Sequence, residues 1–174
     1  MAVLKIRKYG DPALRRRGAE VGEITPALRE TIADMIETMY DEVGIGLAAP
    51  QVGVSLRLMV VGLEDGRDAQ AVINPVIVER GGQLTAEEGC LSIPGIYALV
   101  TRSEWVKVEA KDVEGLPLQI HGLGLLARVL QHEMDHLDGV LFIDHLDPVT
   151  RDRLKRRIKK EGLPEDASHK AFAL

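Results

Sequence analysis

The run His132-Glu133-Met134-Asp135-His136 sets two imidazoles four residues apart, with a carboxylate beside the first. In a helix of 3.6 residues per turn, side chains four apart stack on one face, so both rings reach one metal ion. Glu133 projects about 100° away from His132 around the same helix. From there it touches a water on the metal without becoming a ligand. A bound cation lowers the pKa of such a water from ~15.7 to about 7, and a neighbouring glutamate takes the proton and returns it to a leaving group. The pattern also arises as two surface histidines on an ordinary helix. Leu126, Val129, Leu130 and Leu137 repeat at helical spacing, which predicts a buried helix, where polar groups need partners.

The third ligand decides the class of chemistry. The downstream run His136-Leu137-Asp138-Gly139-Val140-Leu141-Phe142 nearly completes a metzincin protease pattern, but Phe142 stands where the third histidine belongs, and a phenyl ring binds no metal. A carboxylate on a later helix, as in thermolysin-like proteases, leaves Glu161 as a formal candidate at the end of a basic segment. Cys90, in Glu87-Glu88-Gly89-Cys90-Leu91-Ser92, is the favoured donor, because the acids and glycine around it do not read as a core strand. A lone cysteine is more often an inert buried residue; the HExxH helix that lacks its own third ligand gives this one a task.

These side chains need elements to hold them. Thr25-Pro26 is a helix start, with a hydroxyl at the N-cap and proline at the first helical position, and Leu28, Ile32, Met35, Ile36 and Met39 carry the apolar stripe to about Asp41. GIGLAAPQVG then reads as a glycine-containing loop. Strands are predicted at 56–61, at 71–73 and 76–78 with an edge or bend at Asn74-Pro75, and at 104–111, which turns at Glu114-Gly115 into 117–120. The period changes to helical after Gly124 and stops at Gly139. Residues 140–143 read as extended. Asp147-Pro148 opens a last helix with Leu154 and Ile158 inward. The fold class is α+β, with mixed or antiparallel strands packed around a central HExxH-bearing helix and a C-terminal basic helix. Residues 1–160 are expected to form a single catalytic domain, and 161–174, which hold no sustained period, a flexible C-terminal tail.

Composition narrows the classes further. The chain has 174 residues, 45% hydrophobic and 28% charged, with a net charge of −5, which suits one soluble globular domain. No apolar run approaches the ~20 residues that cross a bilayer, and the N-terminus has no signal-peptide pattern. A single cysteine excludes an intramolecular disulfide and points to a reducing, cytoplasmic compartment. Residues 151–160 hold seven basic side chains and one acidic one in an otherwise acidic chain. That stripe is either a solvated helix face or a docking surface for a polyanion. No basic patch elsewhere suggests a specific nucleic-acid sequence, and nothing suggests a membrane partner.

Three motifs, GIGLAAPQ (44–51), EGCLS (88–92) and QHEMDH (131–136), resemble those of the peptide deformylases and come in the same order, and the likeness runs from about Val3 to the last helix. The resemblance implies that Cys90, His132 and His136 bind one divalent metal with water at the fourth position. It implies Glu133 as general acid/base, and the Gln51 side-chain amide and Leu91 backbone N–H as donors to the developing oxyanion. The implied ion is Fe2+, with Zn2+, Ni2+ or Co2+ also accepted. The implied reaction removes the N-formyl group from formylmethionyl nascent peptides. The peptide would lie as an added strand between residues 44–46 and 89–91, so Gly44, Ile45, Gly46 and Gly89 are expected to bind it. Ile45, Leu126 and Val129 are nominated as the methionine pocket. Some bacterial members dock on the ribosome through the last helix, which makes the 151–160 stripe a candidate contact. For imidazole support, Glu42 and Asp135 are the candidate acceptors, and Glu88 is expected to pair with Arg102. Two other readings stay open: a zinc endopeptidase, and a non-catalytic structural zinc site closed by His121 or His145.

Overall fold

A computed structural model describes residues 2–62, 69–164 and 174. The chain begins in an extended stretch, which is held to the body rather than to a sheet: Arg7 N–H donates to the Gln51 carbonyl at 2.7 Å and Leu4 N–H to Thr38 Oγ1 at 2.8 Å. A 3-10 turn at Pro12–Arg15 follows, capped by Asp11, whose side chain accepts from Ala13 N–H. Helix α1 spans Pro26–Asp41, and Thr25 caps it by accepting from Leu28 N–H at 3.1 Å. Its stripe of Leu28, Ile32, Met35 and Met39 is buried against Leu47, Leu58 and Val60 in one apolar cluster.

The segment read as a loop after α1 is more ordered than expected. Gly46–Ala48 is strand β1 and Ala49–Val52 a 3-10 turn. Strand β2 (Leu58–Gly62) pairs with β1 and with β3 (Ala69–Gly81). Asn74-Pro75 does not end a strand. Asn74 takes a left-handed φ of 52°, the ladder slips between Ile73 and Val76, and β3 continues. Proline's missing N–H thus falls in a bulge of an interior strand, not at an edge. The Asn74 side chain stabilises the bend: its amide donates to the Val21 carbonyl and its oxygen accepts from Val21 N–H, both at 2.8 Å.

Strands β4 (Leu84–Cys90) and β5 (Ile93–Arg102) form a separate antiparallel hairpin that the sequence pattern did not suggest. Strands β6 (Trp105–Lys111) and β7 (Pro117–Leu123) complete a five-stranded sheet in the order β1-β2-β3-β6-β7, with every named pairing antiparallel. Helix α2 (Leu125–Leu137) packs on β1, β2 and β7. Residues 140–143, read as extended, lead instead into a 3-10 turn at Phe142–His145, where Asp144 accepts from Leu141 N–H at 2.9 Å. Helix α3 (Pro148–Glu161) starts at Asp147, which accepts from Thr150 N–H at 2.9 Å, and buries Ile158. The fold is therefore α+β, with two antiparallel sheets and three α-helices among the described residues. Of the expected tail 161–174, residues 165–173 lie outside the described residues. None of the described helices is long and apolar enough to cross a membrane.

Candidate metal centre

Helix α2 and hairpin β4–β5 bring the candidate ligand set together. Cys90, His132 and His136 each offer an atom, and these atoms all lie within 4.8 Å of one another. Cys90 Sγ is 3.4 Å from His136 Nε2, and the two imidazole centroids are 5.1 Å apart. All three residues are buried.

The chemistry of this set fits a cation. His132 Nε2 is buried with no hydrogen-bond partner among the described residues. Burial first, and then the nearby Glu133 carboxylate, push the Cys90 thiol up to about 12. Burial and the neighbouring His132 hold His136 well below its ordinary value, which keeps it neutral. Cys90, His132 and His136 would hold a divalent ion, which would give the buried His132 nitrogen a partner and favour the thiolate form of Cys90. Neither His121 nor His145 belongs to the cluster. His121 lies edge-on to Trp105, with centroids 6.0 Å apart, and His145 Nε2 is 2.7 Å from Asp135 Oδ2. Glu161, at the exposed end of α3, is outside it too. Phe142 stacks on His132 with centroids 6.2 Å apart, so the residue in the third-histidine place of the protease pattern packs a ligand instead of being one.

His132 is oriented by Glu88, not by Glu42 or Asp135 as the sequence suggested. His132 Nδ1 lies 2.9 Å from Glu88 Oε1, so it donates there and leaves Nε2 for the cation. Asp135 is occupied elsewhere, accepting from Arg102 Nη1 at 2.9 Å and facing His145. The Glu88–Arg102 pair forms as expected: Arg102 Nε donates to Oε2 at 2.6 Å and Nη2 to Oε1 at 2.9 Å. Burial raises the Glu88 carboxyl, but the hydrogen bonds and charges of His132 and Arg102 outweigh it and hold the group at about 2. Arg128, which sequence reasoning missed, also donates to Glu88 Oε2. Its one signal was its place four residues before His132, on the same face of α2.

Glu133 is fully buried, and neither carboxylate oxygen has a partner among the described residues. Burial raises its carboxyl to about 8, with Arg102 opposing and Glu88 and Asp135 adding to the rise. Gly46 makes room for it: a Cβ there would stand 2.8 Å from Glu133 Cγ and 2.9 Å from Oε1. Gln51 is equally buried. Its Oε1 accepts from Ala48 N–H at 2.9 Å, which fixes the amide and points Nε2 at Cys90 Sγ (3.6 Å) and Ser92 Oγ (3.1 Å). Leu91 is adjacent, and its carbonyl accepts from Lys8 Nζ at 3.1 Å.

The segments around 44–46 and 89–91 do face each other: a Cβ on Gly44 would lie 3.0 Å from Leu91 Cδ1. Strand β1 is the edge of its sheet. Leu174 reaches the 89–91 segment: its N–H donates to the Gly89 carbonyl at 3.3 Å. Its side chain is buried in the cluster that contains Val129, with Ile45 and Leu126 packed against it. The nominated pocket residues thus share one apolar patch, and a leucine occupies it. A cavity of about 690 Å3 elsewhere, bordered by Gln131, Met134 and Asp135 of α2, contains none of the ligands.

Comparison with known proteins gives a consistent answer. The family model described as polypeptide deformylase matches residues 3–152. The peptide deformylase of Endomicrobium trichonymphae is 47% identical over 162 residues, covering 92% of this chain and 96% of that one. That of Neisseria meningitidis serogroup B is 48% identical over 161 residues, with the same coverage. Among solved structures, peptide deformylase from Legionella pneumophila aligns with a TM-score of 0.86 at 46% identity, over 91% of this chain and 95% of that one. The enzyme from Ehrlichia chaffeensis in complex with actinonin aligns at 0.85 and 36% identity, over 92% and 99%.

Proposed function

The chain belongs to the peptide deformylase family, and from that membership we infer that it is a metal-dependent hydrolase that removes the N-formyl group from formylmethionyl nascent peptides and releases formate. One observation carries the reading for this chain. A Cys-His-His set within 4.8 Å stands beside a buried glutamate that has no partner among the described residues.

Cys90, His132 and His136 hold the ion. When bound, a divalent cation supplies the Lewis acidity that makes water a nucleophile at neutral pH. The remaining work falls to the chain itself. Glu133, buried and without a partner among the described residues, takes the proton of the attacking water and passes it to the departing α-amine as the C–N bond breaks. Gln51 Nε2, locked by the Ala48 bond, and the Leu91 backbone N–H donate to the oxygen that gains charge on the formyl carbon. The edge of β1 and the Gly89 carbonyl flank the peptide as an added strand, and Ile45, Leu126 and Val129 line the methionine side chain. Backbone pairing suits many sequences, as processing of many nascent chains requires. The HEMDH helix is the element around which both sheets arrange these parts. The ligand set accepts Fe2+, Zn2+, Ni2+ and Co2+, and Fe2+ is the proposed native ion. The cytoplasm, where nascent chains carry formylmethionine, is the proposed location. Residues 1–160 are the proposed catalytic domain, and the basic face of α3 the proposed ribosome contact.

Formate release from formyl-Met-Ala-Ser tests the reading, with metal content measured on the same sample. Turnover that scales with bound metal is the expected result. Cleavage of internal amides in an unformylated peptide, without formate release, would move the assignment to an endopeptidase.

The position of Leu174 adds a second expected outcome. Its N–H and side chain occupy the place assigned here to the substrate's first residue. Leu174→Asp is therefore expected to lower KM for formyl-Met-Ala-Ser by ~3-fold or more at unchanged kcat, because apparent affinity rises with the fraction of open sites. An unchanged KM would show that the leucine does not compete.

A further inference from the structure

Arg128 is a buried cation with no task in the chemistry above. Its guanidinium side chain is 4% exposed. Nη1 donates to Glu88 Oε2 and to the Val100 carbonyl at 2.9 Å, and Nη2 donates to the Leu84 carbonyl at 2.6 Å. Arg102 already gives Glu88 a two-pronged ion pair. A second buried guanidinium adds a desolvation cost that one carboxylate does not need for neutrality. Its placement shows what it adds. Arg128 stands one helical turn before His132 on α2, and its side-chain partners among the described residues lie on the hairpin that carries Cys90: Leu84 and Glu88 on β4, Val100 on β5.

Two lengths in the site depend on this clamp. Glu88 is held from β5 by Arg102 and from α2 by Arg128, so Oε1 stays 2.9 Å from His132 Nδ1. The same bonds fix β4 to α2, and with it the distance from Cys90 Sγ to His136 Nε2. We propose that Arg128 is a positioning residue: it ties the cysteine-bearing strand to the histidine-bearing helix and holds Glu88 against His132. The proposal rests on the reading of Cys90, His132 and His136 as the ligands.

Co2+ reports on it directly. The wild-type Co2+ protein must first show a thiolate-to-metal charge-transfer band; its absence would fault the ligand assignment rather than Arg128. Arg128→Met is then expected to shift the Co2+ bands and to release metal to a chelator ~10-fold faster or more, the scale seen when partners behind a metal ligand are lost. In the same variant kcat falls while KM for formyl-Met-Ala-Ser holds. Arg128→Lys, whose ammonium reaches Glu88 with fewer bonds, restores part of the release rate. Thr101→Val, which removes the exposed 2.6 Å Thr85–Thr101 contact of the same hairpin, controls for simple loosening and is expected to leave metal release unchanged. A lowered melting temperature in Arg128→Met with wild-type bands and release rate would overturn the proposal and leave Arg128 a structural staple. If Arg128→Met does not fold, Arg128→Gln, whose amide keeps a donor for the Val100 carbonyl, carries the test with the same two outcomes.

Discussion

Glu133→Gln is expected to lower kcat for formate release by ~10²–10⁴, the scale of a lost general acid/base, while the protein still binds its metal. The amide has nearly the shape of the carboxyl, so the close approach to Gly46 survives. The ligand atoms belong to other residues. What disappears is the ability to accept a proton at the buried oxygen and return it to the amine. Formate release and metal content measured together check this, and full activity in the variant would remove Glu133 from the mechanism. Stability gives a second, activity-free reading in the metal-free protein. Burial raises the Glu133 carboxyl from 4.5 to about 8. The folded state therefore favours the protonated form, and that contribution is whole below about 4.5 and lost as pH rises through about 8. Metal-free Glu133→Gln should match the wild type in melting temperature at acid pH and exceed it above pH 8.

The parts of this fold that were legible in the sequence are those set by local chemistry. Thr25-Pro26 and Asp147-Pro148 start helices because the cap and the proline act within one turn. Glu114-Gly115 turns between β6 and β7 because Gly115 takes a φ of 80°. Hairpin β4–β5 was not legible, because Glu88 and Arg102 break the pattern of apolar residues on the buried face, and their burial depends on partners 14 to 44 positions away. For the same reason Arg128 was not legible as a buried residue: its partners, Glu88, Val100 and Leu84, are 28 to 44 positions away. The site divides likewise. The spacing of His132, Glu133 and His136 follows from helix geometry, whereas Cys90 is 42 positions before the first histidine and no periodicity connects them. Only elimination of Phe142 and Glu161, and the family motifs, pointed to it. Glu42 and Asp135 do not take the place beside His132 because the contact that orients its ring comes from Glu88 on β4, 44 positions away in the chain.

Glu88 is where the largest loss of stability should appear. Its carboxylate accepts from two guanidinium groups and from His132 while being fully buried. Glu88→Ala leaves two buried cations and an imidazole N–H facing a small cavity, and breaking one side of a buried ion pair costs about 3–5 kcal/mol. That is a large share of the ~5–15 kcal/mol by which a domain of this kind is stable, so the variant should melt well below the wild type and lose metal affinity as His132 loses its orientation. The pH dependence identifies the cause. The folded-state carboxyl is lowered from 4.5 to about 2, so its contribution is whole above about 4.5 and disappears as pH falls through about 2, with ~3 kcal/mol as its scale. Wild-type protein should therefore lose stability across that window, and Glu88→Gln, which keeps the shape but cannot ionise, should start lower and show a shallower acid slope. Metal affinity measured by chelator competition completes the comparison. A Glu88→Ala protein with wild-type affinity and wild-type melting would mean that Arg102, Arg128 and His132 find other acceptors, and that the strand carrying Cys90 is fixed by its β5 pairing alone.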